Sequence, residues 1–197
     1  MDRDTLAGMG HREDLLEGAK RCLLAKGFAR TTARDIVKES GTNLASIGYH
    51  YGSKDALLAR AYVALVEEAG DTFGGAEPEG EPGSPERFHW VWSNIISAMR
   101  EPGSVFRLSM EVMTIELPEV RAYLGREQRE GGRGLVALLT GVPEDEVTDE
   151  AADTLGAFYL TLMTGLIAQW TFDPETAPDA DALTAGLRRV VEGVRKG

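Results

Sequence analysis

Apolar residues in this chain recur every three or four positions, which is the spacing of one face of an α-helix. One such stripe predicts a first helix over 12–29, and another runs through 57–68. Helical spacing continues from Glu86 onward, with a helix predicted over 104–117 and a break predicted at Gly131-Gly132. No window shows the sustained alternation of apolar and polar residues that a half-buried strand requires. The pattern therefore predicts an all-α protein.

A helix-turn-helix is predicted in residues 30–58, where the chain reads RTTARDIVKESGTNLASIGYHYGSKDALL. Thr32 can cap a helix together with Asp35, because a threonine followed three residues later by an acidic side chain resembles a capping box. Gly41 stands where a left-handed residue would end that helix, and Asn43 can cap the next one. Two short helices around a glycine turn can place the second helix in the major groove of DNA.

The stretch 27–58 closely resembles the DNA-binding domain of TetR-family transcriptional regulators. The matching positions are Gly27-Phe28, Thr31-Thr32, Ile36, Gly41, Ile47, Tyr49-His50-Tyr51, Ser53-Lys54 and Ala56-Leu57-Leu58. The resemblance is specific in residues 12–60 and only architectural beyond them. It implies a three-helix DNA-binding head at 10–56, joined to a helical effector-binding and dimerisation domain at 57–197.

The resemblance also implies what the protein does. TetR-family regulators are all-helical dimers whose last two long helices pair with their counterparts, here the helices near 149–172 and 179–195. The expected function is that of a ligand-responsive repressor, which binds palindromic operator DNA as a homodimer and is released by a small, mostly apolar effector. The alternative is a helical interaction or scaffold protein without sequence-specific DNA binding.

Eight residues match DNA-contacting positions of the family: Thr32, Arg34, Leu44, Ala45, Ser46, Tyr49, His50 and Lys54. The guanidinium of Arg34 could hold a guanine in bidentate fashion. Lys54 stands at the start of a helix, where a lysine and the helix N-terminus together favour a phosphate. For His50 the alternative is packing beside the turn, and Tyr51 is expected in the core.

Two positions depart from the family pattern. Thr42 stands where the family more often has valine, which weakens a core contact. Gly48 lacks the side chain often found there and removes one expected DNA contact.

Charge is unevenly distributed along this acidic chain, whose formal net charge is −11. Residues 1–60 carry ten Lys/Arg and eight Asp/Glu, whereas the remaining residues carry 11 and 24. A weakly basic head on an acidic body suits a protein that touches DNA at one end only.

Aromatic and methionine side chains suggest an adaptable apolar cavity for an effector. The candidate lining residues are Trp90, Ile96, Met99, Phe106, Met110, Met113, Phe158, Leu162, Met163 and Trp170. The alternative is that these side chains fill an ordinary core.

Two further stretches stand out by composition. Residues 70–86 are acidic and rich in Gly and Pro, which predicts a flexible loop. The stretch Thr154–Phe172 carries no charge and is long enough to span a bilayer. Its threonines and acidic flanks favour instead a central helix shared between a ligand cavity and a subunit interface.

Nothing in the sequence points to catalysis or to a cofactor. His11, His50 and His89 are scattered, with no ligand partners at metal spacing, so no metal site is expected. No nucleophile–base pair or phosphate-binding glycine loop is visible, so an enzyme is not expected. The single cysteine, Cys22, and the charged N-terminal residues fit a cytoplasmic protein.

Overall fold

The computed structural model describes residues 3–74, 77–101, 103–114 and 117–195. The all-helical prediction is confirmed, because every regular element among these residues is a helix. The helices are α1 (Arg3–Lys26), α2 (Ala33–Ser40), α3 (Leu44–Tyr51), α4 (Lys54–Gly74), α5 (Pro85–Arg100), α6 (Val105–Thr114), α7 (Pro118–Thr140), α8 (Asp149–Ala151), α9 (Ala157–Phe172) and α10 (Ala180–Val194). A 3₁₀ turn at Glu144–Glu146 precedes α8, and a π-helical segment at Ala152–Gly156 joins α8 to α9.

The described residues divide into two compact units. The first unit takes in Met1–Asp71 and Gly103–Leu124, and the second takes in Thr72–Pro102 and Gly125–Gly197. The first unit therefore contains α1, α2, α3, most of α4, all of α6 and the beginning of α7.

The core of the first unit is built from the apolar faces of its helices. Its fully or almost fully buried side chains include Leu15, Ala19, Leu23, Phe28, Ile36, Ile47, Leu57, Leu58, Ala59, Ala61, Tyr62, Leu108, Val112 and Val120. Leu108 and Val112 come from α6 and lie one helical turn apart, so one face of α6 is buried with α1–α4. Helix α6 is thus packed as part of the unit that holds the helix-turn-helix.

The second unit has its own core around Trp92, which is fully buried. The other buried members are Phe88, Val91, Ile95, Ile96, Leu139, Leu166 and Ala180, contributed by α5, α7, α9 and α10. Spacings of three and four residues along α5 place its buried residues on one face.

Several predicted boundaries are wrong. Helix α1 begins at Arg3 instead of Arg12, and it ends at Lys26 because Gly27 takes a left-handed φ of 77°. The helix predicted over 104–117 is shorter, and residues 115–116 lie outside the described residues. The predicted break at Gly131-Gly132 lies inside α7.

Helices occupy both ends of the loop predicted at 70–86. Residues 70–74 complete α4, and Pro85 begins α5 after Ser84 accepts a hydrogen bond from the backbone N–H of Arg87. The buried Arg87 side chain donates to the carbonyls of Gly80 at 3.0 Å and Leu138 at 3.1 Å. The described part of the loop is therefore tied to α5 and α7.

A close backbone crossing joins α7 to the π-helical segment. A Cβ placed on Gly156 would lie 2.8 Å from the carbonyl carbon of Gly132, and one placed on Gly132 would lie 3.1 Å from the carbonyl carbon of Gly156. The first distance is too short for a Cβ facing a backbone, and the second is tighter than most such contacts. The two glycines therefore allow an approach that any larger residue would prevent.

Candidate nucleic-acid interface

The start of α2 is fixed by a reciprocal pair of hydrogen bonds. The Thr32 hydroxyl accepts from the Asp35 backbone N–H at 3.2 Å, and the Asp35 carboxylate accepts from the Thr32 backbone N–H at 2.9 Å. The ammonium of Lys26, the last residue of α1, lies 2.6 Å from the same carboxylate. The capping pair predicted from the sequence is confirmed, and it sets the direction in which Arg34 leaves the helix start.

These bonds make the head sensitive to acid. Hydrogen bonds from Lys26 and then from Thr32 hold the pKa of Asp35 well below its usual range. Because folding favours the charged form of Asp35, the charged carboxylate stabilises the head at neutral pH. This contribution to stability is lost as the pH falls below about 4 toward the lowered pKa. Asp35→Asn should lower the melting temperature at pH 7 and flatten its decline below about pH 4, measured by circular dichroism.

The matched control for that variant is Asp145→Asn, which removes a carboxylate from the exposed 3₁₀ turn. It should melt near the wild-type temperature at pH 7. A decline with acid as steep in Asp35→Asn as in the wild type would show that this carboxylate does not stabilise the head.

The turn between α2 and α3 has the predicted chemistry. Gly41 ends α2 with a left-handed φ of 69°, a conformation that glycine adopts without steric cost. The side chain of Asn43 accepts from the backbone N–H of Ser46 at 3.1 Å and so caps α3. Helix α3 therefore begins at Leu44, where the sequence places the first base-reading residues.

One face of α3 is open to solvent. Tyr49 is 86% exposed and Leu44 is 52% exposed, and Ala45 is also exposed. A Cβ on Gly48 would meet no atom within 4 Å, so that side of the helix has no close neighbour among the described residues. An exposed tyrosine and leucine on a short capped helix form a surface that suits a partner with both polar and apolar groups.

Three other α3 residues are more enclosed. Ser46 is buried, which leaves it little surface for a base contact, and its role stays a prediction. His50 is half-buried, with its ring edge-on to Tyr49 and the ring centroids 4.8 Å apart. Tyr51 packs against the core of the first unit, as expected, and its hydroxyl donates to the Arg12 carbonyl at 2.8 Å.

The predicted cationic contacts flank α3. Arg34 is exposed in the first turn of α2. Lys54 begins α4 after Ser53, whose hydroxyl accepts from the Ala56 backbone N–H at 3.0 Å. The Lys54 ammonium lies 3.1 Å from the Asp55 carboxylate, and such a solvent-exposed pair is weak enough for a phosphate to replace.

Sequence reasoning missed Glu111 of α6, whose carboxylate accepts from the Phe28 backbone N–H at 2.8 Å. The two residues are 83 positions apart, so no local pattern joins them. The one available signal was that Glu111 is the single acidic residue of the helix VFRLSMEVMT.

The candidate effector residues are divided between the two units. Trp90, Ile96, Met99, Leu162, Met163 and Trp170 belong to the core cluster of the second unit or pack against it. Phe158 is 53% exposed on α9, and Phe106 and Met110 belong to the first unit. The side chain of Met113 lies outside the described residues.

Two pockets lie on the described part of the second unit. One of about 250 Å³ on α9 and α10 includes Phe158 and Leu162 of the candidate set. The other, of about 590 Å³, lies beside α5 and α10 and includes Trp90. Buried indole N–H groups of Trp92 and Trp170 have no acceptor among the described residues.

Helices α9 and α10 carry an exposed apolar surface. Its large members are Phe158, Phe172, Val190, Val191 and Val194, each at least 41% exposed. The stretch Asp149–Phe172 is also the one described stretch long and apolar enough, by length and composition, to cross a membrane. A helix that packs against another subunit has the same composition, so this feature alone does not indicate a membrane span.

Among the described residues, no three His, Cys, Asp or Glu side chains form a group that could hold a metal ion. The Cys22 thiol is buried in the first unit, and burial raises its pKa, which disfavours the reactive thiolate.

Comparisons with known proteins agree with this geometry. The family described as "Bacterial regulatory proteins, tetR family" matches residues 15–61. The chain is 29% identical over 160 residues to the HTH-type transcriptional repressor AcnR of Corynebacterium glutamicum, covering 78% of this chain and 82% of that protein. It is 28% identical over 191 residues to AcnR of Corynebacterium efficiens, covering 94% and 93%.

Solved structures share the fold. A transcriptional regulator from Rhodococcus sp. Rha1 is similar with a TM-score of 0.68 and 19% identity, over 92% of this chain and 96% of that one. The multidrug binding protein EbrR, complexed with imidazole, is similar with a TM-score of 0.66 and 20% identity, over 95% and 90%. At these identities the likeness is one of architecture.

Proposed function

Because the helix-turn-helix head of this chain belongs to the TetR family of bacterial regulatory proteins, we propose that the protein is a repressor that binds palindromic operator DNA as a homodimer. The observation that carries this proposal is the exposed face of α3, where Tyr49 and Leu44 stand free of the core on a helix capped at its start. Arg34 and Lys54 stand in the helices before and after it. This arrangement combines base-reading and phosphate-binding side chains on neighbouring helices.

Repression, rather than activation, is supported by the similar AcnR proteins, which are named as transcriptional repressors. The proposed repressor acts in the cytoplasm, where operator DNA is present. Its eight DNA contacts are those assigned from the sequence, with Ser46 the least accessible of them.

The proposed dimer forms through α9 and α10. Val190 is 62% exposed and Val194 is 78% exposed on α10, and Phe172 at the end of α9 is 82% exposed. Such a group of large apolar side chains on two adjacent chain segments is typical of a subunit interface. A dimer also gives DNA recognition two half-sites, whose contributions to specificity multiply.

Replacing both Val190 and Val194 with glutamate should weaken dimerisation about 100-fold or more, because burying unpaired carboxylates in an apolar interface is costly. Analytical ultracentrifugation measures the dissociation constant. The control is Val142→Glu, a valine that is 38% exposed outside α9 and α10 and should leave the dimer intact. Equal self-association of all three proteins would place the interface elsewhere.

Selection from a random DNA pool tests the proposed function itself. The enriched sequences should contain an inverted repeat whose half-sites lie about one helical turn or a multiple of it apart. A pool without any enriched sequence would favour the alternative of a helical interaction protein that does not read DNA.

The proposed effector is a small, mostly apolar molecule bound in the second unit. Support comes from the aromatic and methionine side chains around its core, since methionine-rich surfaces adapt to varied ligands. Binding would shift the population toward a state with low DNA affinity. Titrating apolar compounds into the complex of the protein with the DNA enriched from the random pool should release the DNA. Compounds that bind the protein but leave its DNA affinity unchanged would contradict the proposed effector response.

A further inference from the structure

Helix α6 holds the turn between α1 and α2 through two polar contacts. The Glu111 carboxylate accepts from the Phe28 backbone N–H at 2.8 Å, and the Arg107 guanidinium donates to the Leu24 carbonyl at 2.6 Å. Residues 107 and 111 are four positions apart and therefore lie on the same face of α6. One side chain satisfies a carbonyl near the end of α1, and the other satisfies an N–H group just beyond it.

The turn itself is shaped to receive Glu111. Gly27 has a φ of 77°, and a Cβ on it would overlap the Glu111 carboxylate. Two other polar groups bond within the turn or to α1, since the Thr31 hydroxyl donates to the Gly27 carbonyl at 2.7 Å and the Gly27 N–H donates to the Leu23 carbonyl at 2.8 Å. The Phe28 N–H is directed instead to α6.

Buried side chains and a hydrogen bond to α4 hold helix α6 in place. Leu108 is fully buried and Val112 is 2% exposed in the core of the first unit. On the same helix, the Ser109 hydroxyl accepts from the Tyr62 hydroxyl of α4 at 3.1 Å. The position of Glu111 is therefore set by packing, and the turn must follow it.

The turn leads directly into the DNA-facing part of the head. Thr32 caps α2 four residues after Phe28, and Arg34 lies in the first turn of that helix. Three residues then separate α2 from α3, so a shift in how α2 begins is passed on to Tyr49. Small displacements of this kind reduce affinity strongly, because hydrogen bonds to base edges depend on distance and angle.

We infer that Glu111, assisted by Arg107, is a positioning residue for DNA recognition, acting through the α1–α2 turn. The inference rests on the proposed function and adds to it a determinant outside the helix-turn-helix. Electrostatics alone predicts that loss of Glu111 strengthens DNA binding, which is the opposite of the effect that loss of positioning predicts. Removing a negative charge from a DNA-binding unit strengthens attraction to phosphates, whereas loss of positioning weakens binding.

The test uses Glu111→Ala, Glu111→Gln and two controls in the full-length chain. Binding is measured by fluorescence anisotropy on a duplex enriched by the wild-type protein from a random pool. Glu111→Ala should bind about tenfold more weakly, which corresponds to the loss of one charge-assisted hydrogen bond. Glu111→Gln keeps an oxygen acceptor for the Phe28 N–H and should bind within about threefold of the wild type.

The two controls separate charge and stability from positioning. Glu127→Ala removes an exposed carboxylate from the second unit and should bind equally well or slightly more tightly. Ser109→Ala breaks the hydrogen bond between α6 and α4 without touching the turn, so it reports the cost of weakening α6 alone. Amide hydrogen exchange in the DNA-free proteins provides a direct readout, since Phe28 should exchange faster in Glu111→Ala and be protected again in Glu111→Gln.

Weak DNA binding and fast Phe28 exchange in Glu111→Ala, both restored by glutamine, would support the positioning role. Unchanged or tighter binding by folded Glu111→Ala would overturn it, as would an equal loss in Ser109→Ala. A wild-type protein that enriches no DNA sequence would overturn the proposed function instead, and the two failures are thereby distinguished.

Discussion

Replacing both Arg34 and Lys54 with alanine is expected to weaken specific DNA binding about 100-fold or more. A bidentate contact from arginine to guanine contributes about 1–3 kcal/mol, and loss of a phosphate contact adds to this and lowers the salt dependence. Arg34 is exposed at the start of α2, and Lys54 pairs with the exposed Asp55 carboxylate, a weak contact that a phosphate can replace. Fluorescence anisotropy at several salt concentrations measures the affinity and the salt slope.

The control carries the same loss of charge elsewhere in the first unit. Arg60 and Arg121 are exposed on α4 and α7, outside the predicted contacts, and their double alanine variant should lose only the nonspecific part of the attraction. Equal losses in the two double variants would mean that charge alone drives binding. Wild-type affinity of the Arg34 and Lys54 variant would contradict the assignment of these contacts.

A Gly156→Ala substitution is expected to destabilise the protein by about 2–3 kcal/mol, the cost of forcing atoms into a packed site. The new methyl group would lie 2.8 Å from the carbonyl carbon and oxygen of Gly132. Backbone cannot rotate away as a flexible side chain could, so α7 and the π-helical segment must separate. The midpoint of guanidinium unfolding, followed by circular dichroism, measures the loss.

Gly125→Ala is the matched control and should act in the opposite direction. It lies in the same helix as Gly132, but a Cβ there meets no atom of the described part of the chain within 4 Å. Alanine is favoured over glycine within a helix by about 1 kcal/mol. If Gly156→Ala proved as stable as Gly125→Ala, the close crossing at Gly132 could not be present in solution.

The helix-turn-helix could be predicted from sequence because its determinants are local. Thr32 and Asp35 cap α2 from three residues apart, and Gly41 ends it with a conformation that few other residues accept. Asn43 begins α3 in the same way. Each of these helix starts and ends depends on residues only a few positions apart, so it can be predicted from their chemistry and spacing.

Long-range contacts could not be predicted from the pattern of apolar and polar residues. The Glu111–Phe28 bond spans 83 positions, so no periodicity indicates that α6 belongs to the unit that holds the helix-turn-helix. Gly131 and Gly132 look like a helix end because glycine often stands there, but contact with Gly156 explains why glycine is required inside α7. Tertiary packing overrode the local preference in this case.

The candidate effector residues show a similar limit. Composition identifies aromatic and methionine side chains suited to an apolar ligand, but it does not determine which of them share a space. Met110 lies in the first unit, whereas Met99 and Trp170 pack on the core of the second. Trp92 lies fully buried in that core.

Salt-titrated binding of the purified protein to the DNA upstream of its own coding region tests the central claim most directly. The proposed function predicts a discrete complex of two chains per duplex that resists nonspecific competitor DNA. Its affinity should fall steeply with increasing salt, since phosphate contacts release counterions. The absence of a specific complex at any salt concentration, on this DNA and on a random pool, would contradict the proposal that α3 reads DNA.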